Sequence, residues 1–189
     1  MAEWNKKRNV MRHYNQLGRV YDRQYAKEQK TKIEATLENV SLNKKDFVLD
    51  VGCGTGLLFP YIAKRVQLLI GIDISRKLPE KANTHKKHYS NAHLLLADAD
   101  YLPFQKQIFH RIFAITLLQN IPKPSTVLRE IKRVSRNYAT ITITGLKKEF
   151  TKETFTTVLE NAKLEISILK TDDNLKDYIA TCHLKTKIK

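Results

Sequence analysis

Nine residues constrain this chain more than any others: Val48-Leu49-Asp50-Val51-Gly52-Cys53-Gly54-Thr55-Gly56, an apolar run that breaks into a turn with glycine at every second position. Such a run, ended by glycines, reads as a buried strand giving onto a tight turn. Alternate glycines remove Cβ atoms where the backbone leaves the strand sharply and let a ligand approach the main chain. The flanking sequence supports this. A helix is expected from Leu57 to Arg65, followed by a second strand, Leu68-Leu69-Ile70-Gly71-Ile72-Asp73, that ends in a carboxylate. Strand, glycine turn, helix and strand form a βαβ unit, which points to a nucleotide-type cofactor.

The spacing then selects among cofactors. A dinucleotide-binding turn wants G-x-G-x-x-G, its third glycine allowing the helix to pack closely beside a pyrophosphate. Here Leu57 stands at that place and the pattern is G-x-G-x-G. Asp50, inside the strand, would serve a pyrophosphate badly and a cationic ligand well.

At these residues the chain resembles the class I (Rossmann-like) S-adenosylmethionine-dependent methyltransferases, whose first motif the glycine turn matches almost letter for letter. The resemblance covers Val48 to Val134 closely, and the flanks loosely. It implies S-adenosyl-L-methionine as cofactor and a cofactor site that includes Asp50, Gly52, Cys53, Gly54 and Gly56. It also implies that Asp73 hydrogen-bonds both ribose hydroxyls and that Ile74 packs on the adenine. Asp73 has an ordinary alternative role, a strand-end aspartate capping the next helix. The stretch His93 to Asp100 resembles the third strand, with Asp98, beside Ala99, matching the acid that accepts from the adenine amino group; Asp100 reads as a solvated loop residue. Ile112 to Asn120 resembles the fourth strand and its loop, placing Thr116 and Leu117 beside the methionine moiety. The fold implied is α/β, a seven-stranded doubly wound and mostly parallel sheet with an antiparallel hairpin at its end.

The remaining elements are read from periodicity and punctuation. Helices are expected across Trp4 to Val40 with an interruption near Gly18, so residues 1–45 form an N-terminal helical extension packing on a core of residues 46–189. The fifth strand is expected at Ala139 to Thr144, a helix at Lys152 to Ala162 with a threonine-rich cap, and strands at Leu164 to Leu169 and Tyr178 to Thr186. The family often has a Pro-Gly-Gly-like turn before the fifth strand. This chain has Ser135-Arg136-Asn137-Tyr138 there, with Asn137 expected to supply the positive φ.

At 189 residues the chain is long enough for one full α/β core. No apolar stretch is long enough to span a membrane and the polar N-terminus has no signal-peptide pattern, so a cytoplasmic protein is expected. Cys53 and Cys182 assemble neither a disulfide framework nor a zinc site, and His85, His88 and His93 lack metal-ligand spacing.

Charge speaks to the substrate: 34 basic against 19 acidic residues leave a formal +15. The excess lies in the N-terminal and central parts. Arg8, Arg12, Arg19, Arg23, Lys27 and Lys30 recur at helical intervals, and Tyr14, Tyr21 and Tyr25 share the same period. A basic stripe beside aromatics suits a phosphate backbone with unpaired bases stacked nearby, which makes RNA the expected substrate, transfer or ribosomal, with Arg12, Arg19, Arg23, Tyr14, Tyr21 and Tyr25 as candidate contacts. A lysine-rich solvated surface over core tyrosines is the alternative. A second stripe, Arg129, Lys132, Arg133 and Arg136, lies on a predicted amphipathic helix, and Arg76, Lys77, Lys81, Lys86 and Lys87 form a third cluster.

The resemblance also bears on the methylated atom. Methylases of exocyclic amines usually carry Asn or Asp followed by Pro-Pro and an aromatic, which Thr116-Leu117-Leu118-Gln119-Asn120 lacks. Carbon-5 methylases of pyrimidines need a nearby cysteine nucleophile, and both cysteines are misplaced for it. A ring nitrogen or an oxygen remains, for which proximity and in-line orientation suffice. Gln119 and Asn120 are the weak catalytic candidates. Two other functions stay open. The loop Leu117 to Ile121 also resembles methyltransferases of quinone or metabolite type, and a non-catalytic subunit could retain the cofactor fold as a scaffold. Some relatives of this fold pair with a small zinc-ribbon activator protein at the sheet edge. The third strand is the edge in that topology, and its Leu94-Leu95-Leu96 is apolar enough to invite such a partner.

Overall fold

The computed structural model describes residues 2–17, 21–75 and 88–185, with side chains from 4–12 and from 27 onward. Two helices open the chain, α1 (Ala2–Leu17) and α2 (Tyr21–Leu37). The strands are β1 (Phe47–Val51), β2 (Leu68–Asp73), β3 (Ala92–Leu96), β4 (Phe109–Ala114), β5 (Ser135–Leu146), β6 (Leu164–Lys170) and β7 (Asp177–Leu184). Between them lie α3 (Phe59–Ile62), α4 (Pro124–Val134) and α5 (Lys152–Asn161).

The seven strands make one sheet in the order β3-β2-β1-β4-β5-β7-β6. β1 to β5 pair in parallel, while β7 is antiparallel to both β5 and β6. β1 is central, so Val48, Leu49 and Val51 are wholly buried, as apolar residues on either side of Asp50 must be in a strand covered on both faces. α4 presents Val127, Leu128, Ile131 and Val134 to the main core. Ile33 of α2 packs with Phe59, Ile62, Val48 and Phe113 in a second cluster on the other face. α5 begins on Thr151, whose hydroxyl accepts from the Thr154 N–H while the Thr154 hydroxyl accepts from the Thr151 N–H.

Three expectations are corrected. The helix after the glycine turn is shorter than Leu57 to Arg65: the turn runs on to Leu58, Pro60 stands in the first helical positions, and residues 63–65 tighten into a 3-10 turn. Arg136 is not on the helix with Arg129, Lys132 and Arg133, because α4 stops at Val134 and Ser135 is already extended. Asn137 does not take a positive φ; Gln107 does, at 59°, and its side-chain amide donates to Asn137 Oδ1 at 2.9 Å. The expected turn is replaced by a bulge. Phe109 pairs with Ser135 and Arg111 with Thr140, so that Arg136 to Ala139 stand against His110 alone. The cluster Arg76, Lys77, Lys81, Lys86 and Lys87 lies outside the described residues, as does His85.

Candidate functional site

The pocket lies at the C-terminal ends of β1, β2 and β4, where a parallel sheet of this kind leaves a crevice. The glycine turn forms its floor. Gly52 and Cys53 both donate their N–H to the Ile72 carbonyl at 2.9 Å, which pins the turn to β2. Gly52 has φ +74°, and a Cβ there would come within 2.8 Å of Leu117 Cδ1. Gly54, at φ +53°, faces open space. The turn is therefore crowded by Leu117 at Gly52 and open at Gly54.

Asp73, at the end of β2, accepts from the Gly54 N–H at 3.0 Å and from the Ser75 N–H at 2.8 Å. Burial raises its carboxyl above the usual range, against the pull of those main-chain donors. The Ile74 N–H is a third main-chain donor, so the carboxylate keeps about one of its four lone-pair sites for a ligand hydroxyl. Asp50, 3 % exposed, is pushed up to about 7, first by burial and then by the neighbouring Asp73. Two carboxylates thus give the pocket a negative floor. Together with the space over Gly54, they fit a ligand that carries cationic groups and ribose hydroxyls, such as S-adenosyl-L-methionine. The Cys53 thiol is buried and pushed well above its ordinary value, by burial first and then by Asp50 and Asp73, so it is inert as a nucleophile.

Ile74, Asp98, Ala99, Thr116, Leu117 and Asn120 line the same pocket, so the residues singled out from three separate strand ends converge. Gly56 and Gln119 do not line it. Gly56 closes the turn by donating to the Cys53 carbonyl at 2.9 Å, and the Gln119 Oε1 is buried without a hydrogen-bond partner among the described residues. Thr116 has φ +58° and is anchored by its N–H to Thr144 Oγ1 at 2.8 Å. The Asn120 amide donates to the Thr116 carbonyl at 2.9 Å and so braces the loop.

Sequence reading missed the groups that α1 and α2 bring to the pocket. Lys7 of α1 reaches Asp98 at 2.8 and 2.7 Å and also binds Asp100, so Asp100 is an ion-pair partner rather than a solvated loop residue. Burial would lower the Lys7 ammonium, but the hydrogen bonds it donates to Asp100 and Asp98 hold it above the usual lysine value. With Val10 and Met11, Lys7 makes α1 a wall of the pocket. From α2, Gln29 lines the pocket, and Lys32, 3 % exposed, lies 2.7 Å from Asp177 of β7 and donates to Thr116 Oγ1 at 3.0 Å. The buried stripe Gln29, Lys32, Ile33 and Thr36 has helical spacing, and that was the legible signal; its polar members concealed it.

The basic stripes fare differently. Arg8, Arg12, Lys27 and Lys30 are exposed, but on two helices rather than one. Arg19 lies outside the described residues, as do the side chains of Arg23, Tyr14, Tyr21 and Tyr25. On α4, Arg133 is consumed by Glu130 and by the carbonyls of Leu102 and Phe104, and Lys132 by the Ala162 carbonyl. Among the described residues no cluster of three or more metal-ligating side chains exists, and no helix is long and apolar enough to cross a membrane.

Comparison with known proteins agrees with this geometry. Residues 48–137 match the family model described as "Methyltransferase domain". The malonyl-[acyl-carrier protein] O-methyltransferase of Marinomonas sp. is 30% identical over 130 residues, covering 68% of this chain and 48% of that protein. The ubiquinone biosynthesis O-methyltransferase of Coxiella burnetii is 33% identical over 87 residues, covering 46% of this chain and 37% of that one. The chain spans about half the length of the first curated relatives it matches. Among solved structures, the complex between the Haloferax volcanii Trm112 methyltransferase activator and a methyltransferase contains a chain of the same fold, with TM-score 0.79, 13% identity, and coverage of 92% of this chain and 98% of that one. Glycine turn and strand order give the chain the class I methyltransferase fold, and the segment from 48 to 137 within it matches the methyltransferase domain model.

Proposed function

We propose that this chain transfers a methyl group from S-adenosyl-L-methionine to a ring nitrogen or an oxygen of RNA, with residues 1–45 covering a catalytic core of residues 46–189. When bound, the cofactor supplies an electrophilic methyl group on a sulfonium. Asp73 takes the ribose hydroxyls, Ile74 and Ala99 flank the adenine, and Asp98, held by Lys7, takes the exocyclic amine. Asp50 lends its charge to the cationic end, while Thr116 and Leu117 hold the methionine arm.

One observation carries the reading of the chemistry. Among the described residues, no carboxylate other than Asp50, Asp73 and Asp98 lines the pocket, and no histidine does. An acceptor that is already nucleophilic needs only to be placed in line with the methyl group. Val10, Met11, Ile33, Ile115 and Ile121 give that acceptor apolar walls, which suit a planar ring. The formal charge of +15 favours RNA as the carrier of the ring.

The same apolar walls, and the names of the Marinomonas and Coxiella relatives, favour a second reading, a small acceptor of quinone or metabolite type. A small activator protein at β3 is a further part of the proposal. β3 is the sheet edge, with Leu95 and Leu96 exposed at 40% and 49% beside Leu94, and the Haloferax structure is itself a complex with an activator.

The test is transfer of tritiated methyl to deproteinised total RNA from cells lacking the protein, with and without their lysate. Label in RNA supports the first reading, and label only with lysate supports a required partner. Label in a small-molecule extract and none in RNA overturns the RNA reading. Calorimetry with S-adenosylhomocysteine tests the cofactor assignment separately: binding unchanged in Asp73→Ala removes that carboxylate from it.

A further inference from the structure

The bulge at the opposite end of the sheet from the pocket holds a hydrogen-bonding conflict. His110 Nδ1 faces the Phe47 N–H at 2.9 Å, and His110 Nε2 faces Nη1 of Arg136 at 2.6 Å. Both neighbours are donors, and a guanidinium has no lone pair to offer. A neutral imidazole has one lone pair and one N–H, so it can accept from only one of the two. Burial, and then Arg136, lower the His110 pKa, so the ring is neutral near pH 7. The Phe47 N–H belongs to the central strand and cannot turn away. It takes the lone pair, which leaves the Nε2–H and the guanidinium aimed at each other with no acceptor between them.

The surroundings are shaped for an acceptor. Because Arg136 to Ala139 stand against His110 alone, the backbone loops out and leaves a shallow cavity lined by Gln107, His110 and these four residues. None of them is acidic. The carbonyls at the end of α4, which would repel an anion, are already used: Gln107 N–H binds Arg133 O at 3.0 Å, Ile108 N–H binds Val134 O at 2.9 Å, and the Ser135 hydroxyl binds Ile131 O at 2.7 Å. The nearest carboxylate, Asp46, faces Arg111 at 3.6 Å and accepts from the Asn43 N–H. Tyr138 stands 87% exposed on the rim.

We propose that the bulge is a binding site for a phosphate-type oxyanion, one oxygen of which accepts from both His110 Nε2–H and the Arg136 guanidinium. A single oxyanion removes the conflict by giving each donor an acceptor, and it leaves the Phe47 bond intact. The site is independent of the methyl acceptor, since it lies one strand length, roughly 13 Å, from the glycine turn. The phosphate is either free, or on a small metabolite, or part of a polynucleotide backbone that the basic surface would draw in.

The experiment is NMR of the full chain with 15N-labelled histidine, titrated with inorganic phosphate against chloride at equal ionic strength. The expected result is a saturable shift of His110 Nε2 and a rise in the His110 pKa in phosphate. The groups facing the ring are Arg136 from β5, Arg111 from β4 and Asp46 before β1. Arg136→Gln should weaken the phosphate response about ten-fold or more, the loss expected of a charge-assisted hydrogen bond. Identical His110 signals in phosphate and chloride, or an unweakened response in Arg136→Gln, overturn the proposal. A second arm adds a single-stranded oligoribonucleotide. Saturation at lower phosphate-equivalent concentration than inorganic phosphate identifies a polynucleotide backbone as the source, and saturation by phosphate alone identifies a free or small-molecule phosphate.

Discussion

Asp50 shows how a single side chain fixes the chemistry of the floor. Its carboxyl is raised to about 7, whereas an aspartate in the unfolded chain titrates near ~4. Between these values the folded protein holds a proton that the unfolded chain lacks, so its stability falls as pH rises through that window. A ligand ammonium above Asp50 requires the ionised form, and binding below pH 7 must therefore expel the proton. S-adenosylhomocysteine should bind up to about ten-fold tighter per pH unit from 5 towards 7, then level off. Asp50→Asn should flatten that profile. Calorimetry in two buffers of different ionisation enthalpy measures the released proton directly; a pH-independent affinity in the parent protein would remove Asp50 from the cationic end of the site.

At the scale of the element, α1 behaves as a wall that one side chain fastens. Lys7 joins Asp98 and Asp100, and the chain's single tryptophan, Trp4, lies one turn away and is half exposed. Its fluorescence therefore reports on α1 and nothing else. S-adenosylhomocysteine should raise Trp4 anisotropy and reduce quenching by iodide. Lys7→Met should lower the anisotropy of the free protein and speed ligand dissociation several-fold, the loss of charge-assisted hydrogen bonds worth about 1.5 kcal/mol. Anisotropy that ignores both ligand and variant would show that α1 takes no part in holding the ligand. The elements were legible to different degrees. β2 was readable to the residue because Leu68 to Asp73 is an apolar run ended by a carboxylate, and α5 because Thr151 announces its cap. Lys7 was hidden because a lysine in a basic helix reads as solvated, and only the fold brings residues 7 and 98 together. The bulge after α4 was hidden for a related reason: Ser135 to Tyr138 has turn composition, and what makes it a bulge is the register of β4 beside it.

At the scale of the whole molecule, the first helices and the last strands are tied through one buried ion pair. Lys32 of α2 meets Asp177 of β7 and also holds Thr116 at the rim of the pocket, so three distant stretches of sequence share one ammonium. Desolvation outweighs the attraction, because the Asp177 carboxyl is raised despite the lysine beside it. The pair therefore specifies how α2 sits against β7 more than it stabilises the fold. Breaking it is a different matter. Lys32→Met leaves a buried carboxylate without its cation and should cost about 3–5 kcal/mol at pH 8. The cost should shrink between pH 8 and pH 5, because a carboxyl with a raised pKa takes up its proton at higher pH than in the unfolded chain and the buried charge is progressively removed. Replacing both partners, as Lys32→Met with Asp177→Leu, should recover most of the loss. Urea unfolding at the two pH values measures all three variants. One shared transition followed by Trp4 fluorescence and by far-ultraviolet circular dichroism would mean that α1 and the sheet unfold together. An earlier Trp4 transition in the parent protein, with Lys32→Met as stable as the parent at pH 8, would mean that the lysine does not join them.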